Sequence, residues 1–403
     1  MFRFDSSPFR AAPGFAALIL FLVAGTAAAD TVPGGPVSGT WTVAGSPYLV
    51  TGEIDVPAGE TLVIDPGVEV RFQGWYKFNV HGQLLAVGTE ADSIRIHAEV
   101  PSTGFHGIRF LDTATSGQLA SELAYCRIED GRATGTCPDN TGAGIYMSHA
   151  KTEVRNSLVT ACYSVMGAGS WGGGGIALEY CDEVTIRDCR IEGNETGGDG
   201  GGLYLYWSTP TLTGNVIAGN WAARGAGISA LMYSAADITG NEIRDNSGVG
   251  VYLSGSAAWL VNNRIEGNQG SGVECYLTDA QLIGNLIAGN QAVRGGGVMI
   301  TGCDPRLNNN TIADNDASEG GGIYATFHFV GIIIPSLPTL TNNVVYGNTA
   351  ASGSQIAMGT NCVATLRYCD VQDLAGGGTS GTMNLVEGNI DAPPEWVATG
   401  DHP

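Results

Sequence analysis

Asp279 and Asp304 stand 25 positions apart, in Thr278-Asp279-Ala280 and Cys303-Asp304-Pro305. If the chain stacks in layers at that period, their carboxyl groups fall about 5 Å apart on neighbouring layers, with Glu274 close by. Such a group could do two kinds of chemistry. Two carboxyls at about 5 to 9.5 Å can cleave a glycosidic bond, and several hard oxygen ligands suit calcium. Aspartate is also common at turns, whatever its chemistry. A second set is aromatic: Tyr146, Tyr204, Tyr206, Trp207, Tyr252, Tyr276 and Tyr324. Tyrosine offers a flat apolar ring and a hydroxyl, so a row of them can hold a sugar chain with no catalytic group. Tyrosine is equally a favoured strand residue on a half-exposed face.

Both sets depend on a repeat that would bring distant positions into line. Asn-x-Ile-x-x-Asn recurs at Asn215–Asn220, Asn241–Asn246, Asn263–Asn268, Asn285–Asn290, Asn310–Asn315 and, with Val345 for Ile, Asn343–Asn348. The starts are separated by 26, 22, 22, 25 and 33 residues, a period that marks a stacked array in which each unit buries its apolar face against its neighbours. Apolar residues alternate around each Asn pair, as in Gly250-Val251-Tyr252-Leu253, and a period of two belongs to strands. No segment keeps a helical rhythm. Three short strands and their turns fill one unit, which describes a rung of a parallel β-helix rising about 4.8 Å per layer.

In that register Asn156, Asn215, Asn241, Asn263, Asn285, Asn310 and Asn343 form one column, and Asn194, Asn220, Asn246, Asn268, Asn290, Asn315 and Asn348 a second. Stacked side-chain amides can donate and accept along the column, so these residues are expected to be structural. Cys189, Cys369 and, further upstream, Cys126 take the first-column place where Asn is missing. The clusters Gly200–Gly202, Gly295–Gly297 and Gly320–Gly322 precede an aliphatic strand, where a sharp turn needs positive φ or close backbone approach. They lack the Gly-Lys-Ser/Thr and the following helix of a phosphate-binding loop.

These motifs, with the opening stretch Thr51 to Phe72 and His106-Gly107-Ile108-Arg109-Phe110, resemble those of the right-handed parallel β-helix superfamily, the pectate-lyase-like fold shared with many bacterial surface and periplasmic proteins. The resemblance runs from about Gly39 to about Ala392. It implies an all-β solenoid and a carbohydrate-related role. It also implies that a lyase of this fold would use an Arg or Lys as base, and the outward columns from Tyr146 onward hold neither. Outward Glu179 and Glu274 are four rungs apart, about 19 Å, too far to act as a pair.

Residues 1–29 carry Arg3, Arg10, an apolar run from Phe15 to Ala24 and Ala27-Ala28-Ala29, the layout of a cleavable secretory leader. The run is shorter than the roughly 20 residues of a membrane span. Loss of this leader takes the formal charge from −21 to −22, which repels nucleic acid and other polyanions. The nine cysteines are an odd number. Cys362 with Cys369 and Cys181 with Cys189 are near enough in sequence for disulfides, although buried thiols are the favoured reading. The six histidines form no zinc motif.

The expected organisation is therefore a leader (1–29), a lead-in and cap (30–50), β-helix rungs (51–369) and a terminal rung or cap, complete or truncated (370–403). Arg264 beside Glu242, and Arg244 beside Glu266, are expected to pair across rungs. The apolar insertion Thr326 to Pro338 is expected to shield a flank rather than bind a partner, and a second insertion spans Ser164 to Gly174. The expected function is an exported bacterial protein, secreted, periplasmic or on the cell surface, that binds a polysaccharide or envelope glycan through its outward aromatics. The alternatives are a polysaccharide hydrolase or lyase using Asp279, Asp304 and Glu274, and a pure scaffold or adhesin. No cofactor is expected beyond calcium at Asp279 and Asp304. Oligomeric state is not legible.

Overall fold

The computed structural model describes residues 29–114, 119–165 and 172–394. The leader lies outside them apart from Ala29, as does most of the second insertion, including Trp171.

Three parallel sheets of 14 strands each run the length of the molecule. One rung shows the plan. Arg264–Glu266 belongs to the first sheet (A), Val273–Tyr276 to the second (B) and Gln281–Ile283 to the third (C), after which Leu286–Ala288 returns to sheet A. The strands begin at Asp30–Val32 and end with Thr382–Glu387, so residues 30–50 and 370–387 also contribute strands. No α-helix occurs among the described residues. This is a single-stranded right-handed parallel β-helix.

Alternation decides what is buried. In sheet A, Ile217, Ile243, Ile265, Ile287, Ile312 and Val345 form one fully buried column, and burial of each such side chain contributes about 1.5–3 kcal/mol. The asparagines close the rungs around this core. Nδ2 of Asn215, Asn241, Asn263, Asn285 and Asn310 donates to Oδ1 of the next member at 2.9–3.1 Å, down to Asn343. Each Oδ1 also accepts the backbone N–H of the preceding asparagine, as Asn263 does from Asn241 at 2.9 Å. The second column is built alike from Asn194 to Asn348 and ends on Gln355 Oε1 at 2.8 Å. The amides of the two columns are thereby satisfied, as burial requires.

Cys189 and Cys369 hold first-column places, donating backbone N–H to Asn215 and Asn389 at 3.0 Å each. Asn156 does not belong to that column. Ser157 does: its Oγ accepts from the Cys126 N–H at 3.0 Å, while Asn156 sits one position earlier in the left-handed region at φ 49°, where a rung corner favours asparagine. Cys126, Cys162, Cys181, Cys189, Cys275, Cys303, Cys362 and Cys369 are buried thiols, and neither disulfide considered from sequence is formed.

Close approach explains the glycine clusters. Gly200 has φ +70°, and a Cβ on Gly202 would lie 2.7 Å from the Gly227 carbonyl of the next rung.

Candidate functional site: the outer face of sheet B

Sheet B carries two outward columns. The first reads Arg109, Tyr146, Ala177, Tyr204, Ser229, Tyr252, Glu274, Met299 and Tyr324, and the second includes Ser148, Glu179, Tyr206, Leu231, Ser254 and Tyr276. All six tyrosines thus lie on this face, but not as open rings. Tyr146, Tyr204 and Tyr252 are buried with Ala177 and Leu231 in an apolar cluster separate from the main core, Tyr206 and Tyr276 pack half-buried against it, and Tyr324 is only 9% exposed. The cause is the turn that leads into the strand. The first glycine of each cluster folds over the residue four places on, so that a Cβ on Gly142 or Gly320 would touch Cβ of Tyr146 or Tyr324 at 3.0 and 2.8 Å.

The upstream end of the face holds a buried polar group. Tyr146 Oη donates to Glu179 Oε2 at 2.7 Å, and the Arg109 guanidinium lies 4.3 Å from the Tyr146 ring centre. Arg109 donates to the carbonyls of Pro138 and Thr141 at 2.8 and 3.3 Å. Glu179 Oε1, Tyr204 Oη and Ser229 Oγ are buried without a hydrogen-bond partner. Burial raises the Glu179 carboxyl above its ordinary range, against the Tyr146 hydrogen bond and the Arg109 charge. Near Arg109, His106, stacked on Trp75 at 4.3 Å, donates from Nε2 to the Asp139 carbonyl at 2.5 Å. Burial lowers its pKa to about 4, because imidazolium cannot be solvated there. Arg109 went unnoticed in sequence because it precedes the first tyrosine of its column; counting one rung back from Tyr146 finds it.

The carboxylates seen in sequence part company. Asp279 and Asp304 do occupy neighbouring rungs, but each braces the next layer: Asp279 Oδ1 accepts the Asp304 N–H and Asp304 Oδ1 the Leu337 N–H, both at 2.8 Å. Their role is that of turn aspartates. Glu274 lies away from this corner, on the sheet face, where burial raises its pKa and the charge of Arg224 lowers it. No cluster of three or more His, Cys, Asp or Glu side chains able to hold a metal occurs among the described residues, so Asp279 and Asp304 do not assemble a calcium site with Glu274.

The arginines are engaged. Arg224 grips Asp199 through Nε and Nη2 at 2.8 and 3.0 Å, and Arg294 Nε lies 3.2 Å from Glu319. On sheet A, Glu242 neighbours Arg264 and Arg244 neighbours Glu266 in register. The ion pairs themselves form within each strand, Arg244 to Glu242 and Arg264 to Glu266. Residues two apart on a strand share a face, and that shorter reach wins over the cross-rung pairing expected from sequence.

The exposed aromatics stand one residue further on, at the corner between sheets B and C. On four consecutive rungs this corner presents His149, Tyr180, Trp207 and the pair Met232-Tyr233. Tyr180, Trp207 and Tyr233 are 45%, 44% and 68% exposed. His149 stacks on Tyr180 with centroids 5.1 Å apart, Tyr180 meets Tyr206 edge-on at 5.8 Å, and Trp207 packs on Tyr233 at 4.6 Å. All five corner residues have positive φ, from 47° to 59°. That conformation is costly for bulky side chains, by about 1–2 kcal/mol each. The other two corners largely obey the rule: Asp188, Gly214, Gly240, Asn262, Gly284 and Asn309 at one, Gly193, Gly219, Asp245, Gly267, Gly289 and Asp314 at the other, with Tyr125, Ala161 and Tyr368 as departures. Among the described residues, only the corner beside the outer face of sheet B sets aromatic residues on adjacent rungs. Of the aromatics singled out from sequence, Trp207 alone belongs to this ledge; Tyr180 and Tyr233 were missed because turn residues do not show the period of two.

Downstream the ledge ends at Gly255, and at Gly302 a Cβ would sit 2.5 Å from Cβ of His328. His328 begins a short antiparallel hairpin, His328–Phe329 with Ile333–Ile334, and its ring lies 3.1 Å from Tyr276 Oη. The hairpin root packs on the flank of sheet B through this contact of His328 with Tyr276. Its tip does not, since Phe329, Val330 and Ile332 are 61–67% exposed.

With this architecture in place, the chain matches the family model described as "Right handed beta helix region" over residues 97–287 and 226–390. The protein belongs to that family. No curated protein matches it. Among solved structures it is similar to the periplasmic alginate epimerase AlgG, with a TM-score of 0.56 and 12% identity over 87% of this chain and 85% of that one. It is also similar to a DFA-IIIase from Arthrobacter chlorophenolicus A6 (TM-score 0.48, 13% identity, 82% and 88% covered) and to pectate lyase Pel9A (0.38, 13%, 85% and 74%). Likeness at such identities is one of fold. No helix among the described residues is long and apolar enough to cross a membrane.

Proposed function

We propose that this is an exported protein that holds an extended glycan chain along the corner of sheet B without cutting it. The observation that carries the reading is the aromatic ledge formed by His149, Tyr180, Trp207 and Tyr233, exposed on four successive rungs in a backbone conformation that aromatic residues seldom adopt. Strained conformations persist where function needs them. At about 4.8 Å per rung the ledge is about 14 Å long, enough for several sugar units, and aromatic faces bind sugars by stacking. The half-buried Tyr206 borders it and Tyr146 and Tyr204 lie buried beneath, while Tyr252, Tyr276 and Tyr324 continue the face one, two and four rungs beyond its end. Export rests on the leader-like residues 1–29. Catalysis by Asp279 and Asp304 is disfavoured because their carboxylates are committed to backbone N–H groups.

The test is retention on a panel of immobilised polysaccharides, with chain length of the ligand measured in parallel. Replacing Trp207 and Tyr233 together by alanine should weaken retention roughly tenfold, at about 0.5–1.5 kcal/mol per aromatic contact, with the melting temperature little changed because alanine bears the same αL strain and both side chains are exposed. Unaltered retention by this variant would remove the ledge from the reading, and shortening of any polysaccharide would make the protein an enzyme.

A further inference from the structure

On the far side of the same face from the ledge, an open groove of about 720 Å³ is lined by Gln269, Ser271, Glu274, Gln291, Arg294 and Met299, among others. Glu274 is half-buried in the first outward column between Tyr252 and Met299. It makes no hydrogen bond and no ion pair among the described residues. A half-buried carboxylate with no hydrogen bond or ion pair, on which only the charge of Arg224 acts, is left short of a counter-ion.

The cations of this face cannot supply it. Arg224 is bound to Asp199, Arg294 to Glu319, Lys77 to Asp139 at 2.9 Å, and Arg109 to two carbonyls. The same accounting bears on the ligand. A polyuronate would meet no uncommitted cation here and a protein of formal charge −21, and like charges at an interface are strongly disfavoured. We propose that the groove is a subsite for a primary ammonium group, with Glu274 as counter-ion and Gln269, Ser271 and Gln291 as hydrogen-bonding neighbours, the ammonium being that of an amino sugar in the glycan. The inference rests on the glycan reading above and specifies the substrate class. Met299 and Val249 supply an apolar surface for the sugar ring, and the neutral side-chain amides suit its hydroxyls.

The experiment is calorimetric titration of the full protein with a glucosamine oligomer and with its fully N-acetylated counterpart of equal length. The free amine should bind at least tenfold more tightly at low salt, and Glu274→Gln should abolish that preference. Glu60→Gln, the same charge change at an exposed site remote in the chain, should leave it intact, which separates a local counter-ion from the general negative field. Gln291→Ala, at an exposed position, should reduce binding of the amine oligomer without risk to the fold. Preference retained in Glu274→Gln, or equal binding of the acetylated oligomer, would overturn the ammonium subsite. Competition by spermidine as strong as by the glucosamine oligomer would overturn the sugar as source. Binding of other polysaccharides without amine preference would sink this inference alone, whereas no glycan binding by the unaltered protein would sink the reading beneath it.

Discussion

At the scale of single residues, burial turns ordinary side chains into pH-sensitive ones. His106 is 1% exposed and its pKa is lowered by burial from 6.5 to about 4. Between those values the unfolded chain takes up a proton that the folded chain refuses. Stability from the neutral imidazole is therefore full above about 6.5, falls as the pH drops toward 4, and then levels off. A His106→Gln variant, which keeps a neutral donor for the Asp139 carbonyl, should lose this dependence. Relative to the native protein it should gain up to about 3 kcal/mol as the pH falls from 7 to 4, read as the difference between two denaturation curves. A constant difference across that range would mean that His106 titrates normally. The asparagine columns and alternating aliphatics were legible at this scale because side-chain type at a fixed period is enough to identify them. Arg109, Tyr180 and Tyr233 were not, since their significance depends on which corner or cluster the backbone delivers them to.

At the scale of elements, each rung is three strands and three corners, and the corners differ in what they tolerate. Gly202 and Gly240 separate the two uses of glycine. Gly240 has φ +64° with open space where a Cβ would go, whereas a Cβ on Gly202 would meet the Gly227 carbonyl at 2.7 Å and Asn220 Nδ2 at 3.1 Å. Gly240→Ala should accordingly cost about 1 kcal/mol, the backbone penalty alone. Gly202→Ala should cost about 2 kcal/mol or more, since neighbouring rungs must separate against two sets of ladder bonds. Chemical denaturation of both variants would decide, and equal losses would refute the distinction. Corners of this kind explain the fate of the acidic pair. Register placed Asp279 and Asp304 on adjacent rungs as expected, yet the corner geometry turns each carboxylate onto the next rung's N–H, a contact that no spacing in the sequence displays.

At the scale of the whole molecule, stability is close to a sum of rung and interface terms, because each rung touches only its neighbours. Residues 241–262 form a 22-residue unit bounded by equivalent points, since Asn215 bonds Asn241 as Asn241 bonds Asn263. Deleting them should leave a folded protein in which Asn215 bonds Asn263 directly. Its far-ultraviolet spectrum should be unchanged in shape and retention through the ledge should persist, since the ledge ends at Tyr233, while the Glu274 groove loses Val249 from its lining. Loss of cooperative unfolding in this variant would show that the solenoid is not modular there. The sequence alone determined the solenoid, its period, the inward columns and the set of outward residues on sheet B, for all of these follow from periodicities of two and of one rung. Only the tertiary structure decided which outward residues meet solvent. The turns fold back over Tyr146 and Tyr204 and leave Tyr180, Trp207 and Tyr233 exposed, because exposure is set by the path of the chain between strands, where no periodic constraint acts.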